Sequence, residues 1–246
     1  MMQLPVSKLE PALRLPNGAD ELILCEAAGS PVTRSLAFLS TLSGEADWAA
    51  LTVTDFEVLL LHLRERLFGE VCDLAFGCPC CGARVEVSLR ISEFLAGLRS
   101  RLPAGVTPAP DRPGWFVRDD VAFRLPTAGD QAAVSGHADA LARLLARCID
   151  APAVPARTRG RIERAMAAMA PEVSRPLSGV CPECGESVEA PLHVTRLVVS
   201  ELTGEAASLY DEVDIIARAY HWREADILAL PRQRRRAYVD RIRRAA

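Results

Sequence analysis

Aromatic side chains are scarce in this chain, at 5% of 246 residues, while alanine, leucine and arginine are abundant. A β-sandwich core draws on aromatic and β-branched residues, so this composition points to helices instead. No window approaches the roughly 18 apolar residues that a membrane-spanning helix requires. The opening "MMQLPVSKLEPALRLPNG" lacks a charged start followed by an apolar run, so no secretory signal is read there. Also missing are a glycine-rich phosphate loop, a His-Glu-x-x-His pair and a Gly-x-Ser-x-Gly elbow. His62, His137, His193 and His221 are scattered, and none is expected to have a carboxylate partner at local spacing. The expectation is a protein that is not an enzyme. A formal net charge of −3 gives no global attraction for nucleic acid or anionic membranes.

Half of the residues are hydrophobic, ample for a packed core. There are eight cysteines, and in a reducing cytoplasm clustered cysteines are more often metal ligands than disulfides. Three of them fall within "CPCCGARVEVSL", starting at Cys78, and two more within "CPECGESVEAPL", starting at Cys181. At an offset of 103, seven of fifteen positions are identical, including Cys78/Cys181, Cys81/Cys184 and Gly82/Gly185. "RLPNGAD" (Arg14 to Asp20) likewise resembles "RLPTAGD" (Arg124 to Asp130), at an offset of 110. The chain thus reads as an internal duplication: a strand ending in Arg-Leu-Pro, helices, a cysteine knuckle and a short strand.

A Cys-x-x-Cys turn presents two thiolates from one tight loop, stiffened by proline and closed by a glycine that can take positive φ. Structural zinc wants four such ligands in a tetrahedron, so one knuckle is half a site. Cys78, Cys81, Cys181 and Cys184 are the expected zinc ligands, each knuckle followed by a strand able to pair with the other. A redox pair or a metal-free remnant are the competing readings. Cys80 falls outside the expected ligand set, although it could exchange with Cys78. Cys25, Cys72 and Cys148 read as buried small hydrophobes. His193 is a possible substitute ligand.

Thr54 and Glu57 have the form of a capping box opening a helix with Phe56, Leu59, Leu60, Leu63 and Leu67 at helical spacing. A counterpart runs from about Arg159 through Met166 and Met169. Thr127 and Asp130 look like the start of one helix carrying Leu141, Leu144, Leu145 and Cys148. "WFVRDDVAFRL" reads as a hairpin. The boundaries expected are a first repeat at 1–100 with its knuckle at 78–81, a proline-rich linker at 101–115 and a second repeat at 116–198 with its knuckle at 181–184. A C-terminal helical hairpin at 199–246, with no counterpart elsewhere, completes the chain. The fold class is mainly α with small β elements, α+β.

In that hairpin, Leu209, Val213, Ile216 and Tyr220 share a helix face, and Pro231 is placed to start the last helix. Residues 232–246 hold seven arginines against one aspartate, a local +6 that leaves −9 elsewhere. That end reads as a solvated helix, a docking surface for an acidic partner subunit, or a nucleic-acid contact.

The Arg-Leu-Pro-Thr and Gly-Asp pair, the Cys-Pro-x-Cys-Gly knuckles and the tail "LYDEVDIIARAYHWREADILALPRQRRRAYVDRI" together resemble the T4-type baseplate and baseplate-hub assembly proteins. These occur in contractile phage tails and in the related injection systems of bacteria. The resemblance implies a non-enzymatic structural or chaperone-like role, in the bacterial cytoplasm or within the particle, with other baseplate or tail subunits as partners. It makes Tyr220, His221, Trp222, Arg234, Arg235 and Arg236 the expected partner-binding residues. A zinc-ribbon transcriptional regulator is the rival, with Tyr220 to Arg244 as helix-turn-helix. Against it, the ribbon strands carry Glu86 and Glu189, few basic residues and no aromatics.

Overall fold

The computed structural model of the chain describes residues 3–43, 46–206 and 208–245. In chain order its helices and strands begin with α1 (Gly18–Glu26), α2 (Pro31–Leu42) and, after a short 3-10 turn at Trp48–Ala50, α3 (Val53–Phe68). Next come β1 (Val71–Gly77), β2 (Arg84–Arg90), α4 (Ile91–Ala96), β3 (Thr107–Pro108), β4 (Trp115–Arg118) and β5 (Val121–Arg124). Then follow α5 (Ala128–Val134), α6 (Ala140–Cys148), β6 (Ile149–Asp150), α7 (Ala156–Met169), β7 (Leu177–Val180) and β8 (Ser187–Ala190). The chain closes with α8 (Val194–Ala206), α9 (Leu209–Tyr220), α10 (Glu224–Leu228) and α11 (Arg232–Ala245). The result is an α+β chain in two compact units, each discontinuous in sequence. One comprises Met1–Glu10 and Ala49–Val194, the other Pro11–Trp48 and Thr195–Ala246.

In the first unit α3 buries four of the five apolar residues expected on its face, Phe56, Leu59, Leu60 and Leu63 being at most 1% exposed, while Leu67 at its end is half-buried. Its start differs from the expectation. Thr52 is the N-cap, accepting from the Asp55 N–H at 3.2 Å, so Thr54 and Glu57 do not form the capping box. Both are buried and engaged elsewhere. Thr54 Oγ1 donates to Pro171 O at 2.9 Å, while Glu57 accepts from the backbone N–H and the hydroxyl of Ser174 at 3.1 and 2.5 Å. Glu57 thereby ties α3 to the segment that leads into β7. The Asp55 carboxylate receives the N–H groups of Val6 and Ser7 at 2.8 and 2.7 Å, which anchors the N-terminal segment.

The expected hairpin is present as β4 and β5, turned through Asp119 and Asp120 at φ 51° and 60°, the left-handed pair that a tight two-residue turn demands. It belongs to a four-stranded antiparallel sheet of order β3-β4-β5-β6. The stretch 101–115 is therefore not a spanning linker: Thr107 and Pro108 pair with Val117 and Phe116 as an edge strand, where proline is tolerated. Phe123 and Ile149 of this sheet, with Val106 just before β3, form one core with Ile162, Met166 and Met169 of α7. The single helix expected from Thr127 to Cys148 is two, α5 and α6, broken at Gly136 (φ +82°), and Leu141 is 70% exposed.

Each Arg-Leu-Pro phrase builds the same local device. In the first unit Arg124 grips both carboxylate oxygens of Asp130, six residues on, and Asp130 also accepts from the Thr127 N–H at 3.1 Å and from Arg147 Nε at 2.8 Å. Thr127 returns the favour to the Asp130 N–H at 3.2 Å, closing a capping box on α5. In the second unit Arg14 grips Asp20 at 2.6 and 2.7 Å, and Asn17 and Asp20 cap α1 reciprocally. A strand precedes the phrase only in the first unit, where β5 ends in Arg124; residues 11–16 form none, so the expected repeat of a strand before the phrase is not met.

Each device also pairs with the start of a second helix. Thr127 bridges Thr52, the N-cap of α3, with Val53 N–H to Pro126 O at 3.0 Å and Ala128 N–H to Leu51 O at 2.9 Å. Asn17 bridges Pro231, which precedes α11. The residues leading into those two partner starts match as well: "EADWAAL" at 45–51 and "EADILAL" at 224–230 share five of seven positions. The C-terminal segment does, then, have a counterpart.

The second unit packs α9 against α11, with Ile216, Ile227 and Val239 at its centre and Val213 and Tyr220 half-buried beside them. The expected face of α9 is the observed one. Gly18 sits in a tight corner, where a methyl group would lie 3.0 Å from the Leu228 Cα and from the Arg235 guanidinium.

Burial alone would raise the Asp130 carboxyl, but Arg124 and Arg147 hold it well below its ordinary 3.8. Its contribution to stability is thus complete above about pH 4 and lost as pH falls through the lower folded value. Asp130→Asn is expected to cost about 1–3 kcal/mol in urea melts at pH 7, and to flatten the loss of stability on acidification below pH 4.

Candidate metal centre

Two hairpins in the first unit carry the cysteines. β1 pairs with β2 from Val71↔Arg90 to Gly77↔Arg84, and β7 with β8 from Leu177↔Ala190 to Val180↔Ser187. Each ribbon strand pairs with the strand before its own knuckle, so the expected pairing of one ribbon strand with the other does not occur; the described sheets are separate. The reason is local. A knuckle reverses the chain within six residues, which makes the strand just left the nearest partner.

The two knuckles are built alike. Cys78 N–H donates to Ala83 O at 2.8 Å and Gly82 N–H to Cys78 O at 2.9 Å; Cys181 to Glu186 and Gly185 to Cys181 repeat this at 2.9 and 3.0 Å. Gly82 and Gly185 stand at φ +74° and +75° with nothing within 4 Å of a would-be Cβ, so they are needed for conformation and not for space. Val85 and Val188, matched at the same offset of 103, join Cys78 and Cys181 in one small apolar cluster between the hairpin tips.

That cluster brings all four sulfurs within 4.8 Å of one another. Cys78 Sγ lies 3.7 Å from Cys184 Sγ, and Cys81 Sγ lies 3.7 Å from Cys181 Sγ. Disulfide sulfurs stand about 2.05 Å apart. Sulfurs at the corners of a tetrahedron around zinc, each about 2.3 Å from the ion, stand about 3.8 Å apart. The observed spacing fits the second arrangement. Each close pair joins one knuckle to the other and one buried cysteine (Cys78 or Cys181) to one exposed one (Cys184 or Cys81).

The surroundings prepare thiolates unevenly. The N–H groups of Cys81 and Cys80 aim at the Cys78 sulfur and, against its burial, bring it down to about 7. The Glu186 N–H favours the Cys184 thiolate in the same way, but burial and the three neighbouring sulfurs outweigh it and drive this thiol upward. Four sulfurs so close cannot all carry charge unless a cation sits among them. The donor set is all sulfur and closed, with no side chain left to act as an acid or base on a bound water.

The remaining sequence expectations divide. Cys80 and His193 are exposed and outside the cluster. Cys72 and Cys148 are buried as expected, but Cys25 is exposed on α1. In the second unit Tyr220, Trp222 and Tyr238 form a ring cluster with centroids 5.1–5.6 Å apart, and His221 takes the left-handed cap position after α9 at φ 56°. Arg234 and Arg236 are exposed. Arg235 is not a surface residue. It is 1% exposed and donates to Glu21 at 2.6 Å, to Glu212 at 3.0 Å and to Leu230 O at 2.7 Å. Arg232 and Arg236 also reach those two glutamates, at 3.2 and 3.4 Å. The run of arginines conceals this, since position 235 shares the inward face with Val239. Glu21, Glu212 and the Glu57–Ser174 tie were not anticipated; only helical phase relative to a known core could have exposed them.

Comparison with known protein families finds a match to the T4 bacteriophage base plate protein over residues 4–154, more than half of the chain. The chain belongs to this family. No curated protein and no solved structure matches it. The matched residues of this base plate protein family include the first knuckle and both Arg-Leu-Pro phrases, whereas the second knuckle lies beyond them. No described helix is long and apolar enough to cross a membrane.

Cys81→Ser and Cys184→Ser are each expected to lower the melting temperature by about 10 °C, and Cys80→Ser by less than about 2 °C. Calorimetry on the three variants checks the ranking; a costly Cys80→Ser beside a mild Cys81→Ser would contradict the ligand set. Arg235→Ala is expected to cost about 3–5 kcal/mol by stranding two buried carboxylates, while Arg234→Ala stays within about 0.5 kcal/mol. Denaturant titration separates them.

Proposed function

We propose that this base plate family member is a non-enzymatic structural or chaperone-like protein of a contractile tail or injection-system baseplate, whose first unit is closed by a structural zinc ion. The observation that carries the zinc reading is the set of four sulfurs at tetrahedral spacing, supplied by two knuckles about a hundred residues apart. Cys78, Cys81, Cys181 and Cys184 are the ligands. A closed tetrathiolate site staples chain segments and offers no open position for substrate. Its partners are other baseplate or tail subunits. It works in the bacterial cytoplasm or within the particle assembled there.

The proposal includes descent from a duplicated module, with repeats at 1–100 and 116–198 and the C-terminal hairpin at 199–246. In support, the paired phrases are shared crosswise. The Arg-Leu-Pro helix of the first half bridges the second Glu-Ala-Asp phrase's helix, α11, and that of the second half bridges the first phrase's helix, α3. Each Arg-Leu-Pro helix thus bridges the start of a helix that follows the Glu-Ala-Asp phrase distant from it in the chain.

Metal analysis of the purified chain by plasma mass spectrometry is expected to give one zinc per chain, lost in Cys81→Ser. Co-expression with the tail and baseplate proteins encoded around it is expected to yield a stable complex. Absence of metal would overturn the zinc reading, and absence of any such complex the assembly reading.

A further inference from the structure

Three of the seven arginines of α11, Arg232, Arg235 and Arg236, are ion-paired inside the second unit, and two of the other four, Arg234 and Arg241, share one line along the helix. Arg234, Tyr238, Arg241 and Ala245 follow one another at intervals of four, three and four residues, which places them on a single face of the helix. The inward face is the one that carries Arg235, Val239 and Ile242. No ion-pair partner for Arg234 or Arg241 occurs among the described residues, in contrast to Arg232, Arg235 and Arg236. The one acid of α11, Asp240, lies well off this line.

Tyr238, at the middle of the stripe, meets Trp222 and Tyr220 edge to face, at 5.1 and 5.6 Å. Trp222 keeps 37% of its surface in water. Tyr220, the ring stacked against Trp222, borders a groove of about 330 Å³ whose other walls are Ala219, Arg241, Ile242 and Ala245. The face therefore offers a shallow apolar trough with an unpaired guanidinium at each end of an aromatic centre. Arginine and exposed aromatics of this kind anchor protein interfaces, and a planar guanidinium takes a carboxylate in two hydrogen bonds.

We propose that the Arg234–Tyr238–Arg241 face of α11 docks an acidic segment of a partner protein, with carboxylates on the two guanidiniums and an apolar side chain in the trough beside Tyr220. The inference rests on the assembly role proposed above and names the chemistry of its partner. Charge complementarity selects an acidic occupant. The aromatic arrangement selects protein over nucleic acid: Tyr220 stacks on Trp222 and Tyr238 abuts both, so the rings occupy one another's faces instead of standing free as a base-stacking platform. Two stripe arginines also fall short of the string of phosphate contacts that nucleic-acid binding uses.

The test uses the full chain and a fluorescent helical peptide with glutamates flanking a leucine, read by anisotropy. The wild type is expected to bind in a salt-dependent way and to change its tryptophan emission. Arg234→Gln with Arg241→Gln should weaken binding at least about tenfold with an unchanged melting curve, whereas Arg243→Gln with Arg244→Gln, on other faces, should change it less than about twofold. A glutamine version of the peptide should not bind. Equal binding by both double variants, or no binding by the wild type, overturns the proposal. So does retention of a single-stranded thymidine oligonucleotide that the stripe substitutions abolish, which would make the face a nucleic-acid contact. If the stripe variant still forms the complex with baseplate proteins at wild-type yield, this docking face is wrong and the assembly role stands. If the wild type forms no such complex, the assembly role falls and the peptide titration still decides the face.

Discussion

Four sulfurs held within 4.8 Å of one another repel as thiolates and gain little as thiols. The small apolar cluster there, two valines and two cysteines with Phe76, Ala83 and Val87 half-buried against it, favours contact of the tips but not convergence of the sulfurs themselves. The proposed cation would turn the arrangement from a strain into a clasp, and a preference for tetrahedral sulfur would account for both the number of clustered cysteines and their spacing. On this account the hairpin tips meet because the ion requires four ligands and each tip places only two sulfurs in the cluster. The rest of the first unit then has its two ends fixed: α3 leads directly into one hairpin, and α7, tied to α3 through the neighbouring Ser174–Glu57 bond, leads into the other.

Away from the sulfurs, arginine–carboxylate grips organise both units. Arg124 with Asp130 and Arg14 with Asp20 preset a helix start, and the backbone beside each carboxylate pairs with the start of a second helix. The carboxylates are nearly buried while the arginines keep one side in water, a geometry in which charge-assisted bonds gain strength without the full cost of burying both ions. Arg235 is the exception. It is fully enclosed, and two glutamates from different helices are needed to satisfy it.

The clustering of Cys78, Cys81, Cys181 and Cys184 was legible because a Cys-x-x-Cys turn imposes short, rigid spacing that survives in sequence. The same holds for the hairpin at 115–124, for α7, and for the buried face of α9, where local periodicity decides. What was illegible depended on partners distant in the chain. Thr54 and Glu57 have the form of a cap, yet tertiary bonds to Pro171 and Ser174 claim them, and the helix begins at Thr52. Arg235 looks like its neighbours until the phase of α11 against the core is known. Cys25 lies among apolar residues in sequence but on the outer side of α1. The Glu-Ala-Asp phrase at 45–51 and 224–230 was present to be read; its offset differs from the other two, which hides it from a search at one period.

For a member of the base plate protein family, a stapled scaffold with separate surface features is a coherent design: the proposed metal and the buried ion pairs would hold shape, leaving the exposed face of α11 for the proposed recognition. X-ray absorption at the zinc edge of the purified chain tests the central claim most directly. Four sulfur neighbours at about 2.3 Å, with no nitrogen or oxygen in the first shell, is the spectrum that the sulfur geometry predicts. A zinc-free protein, or zinc held by fewer than four sulfurs with light-atom neighbours, would contradict it.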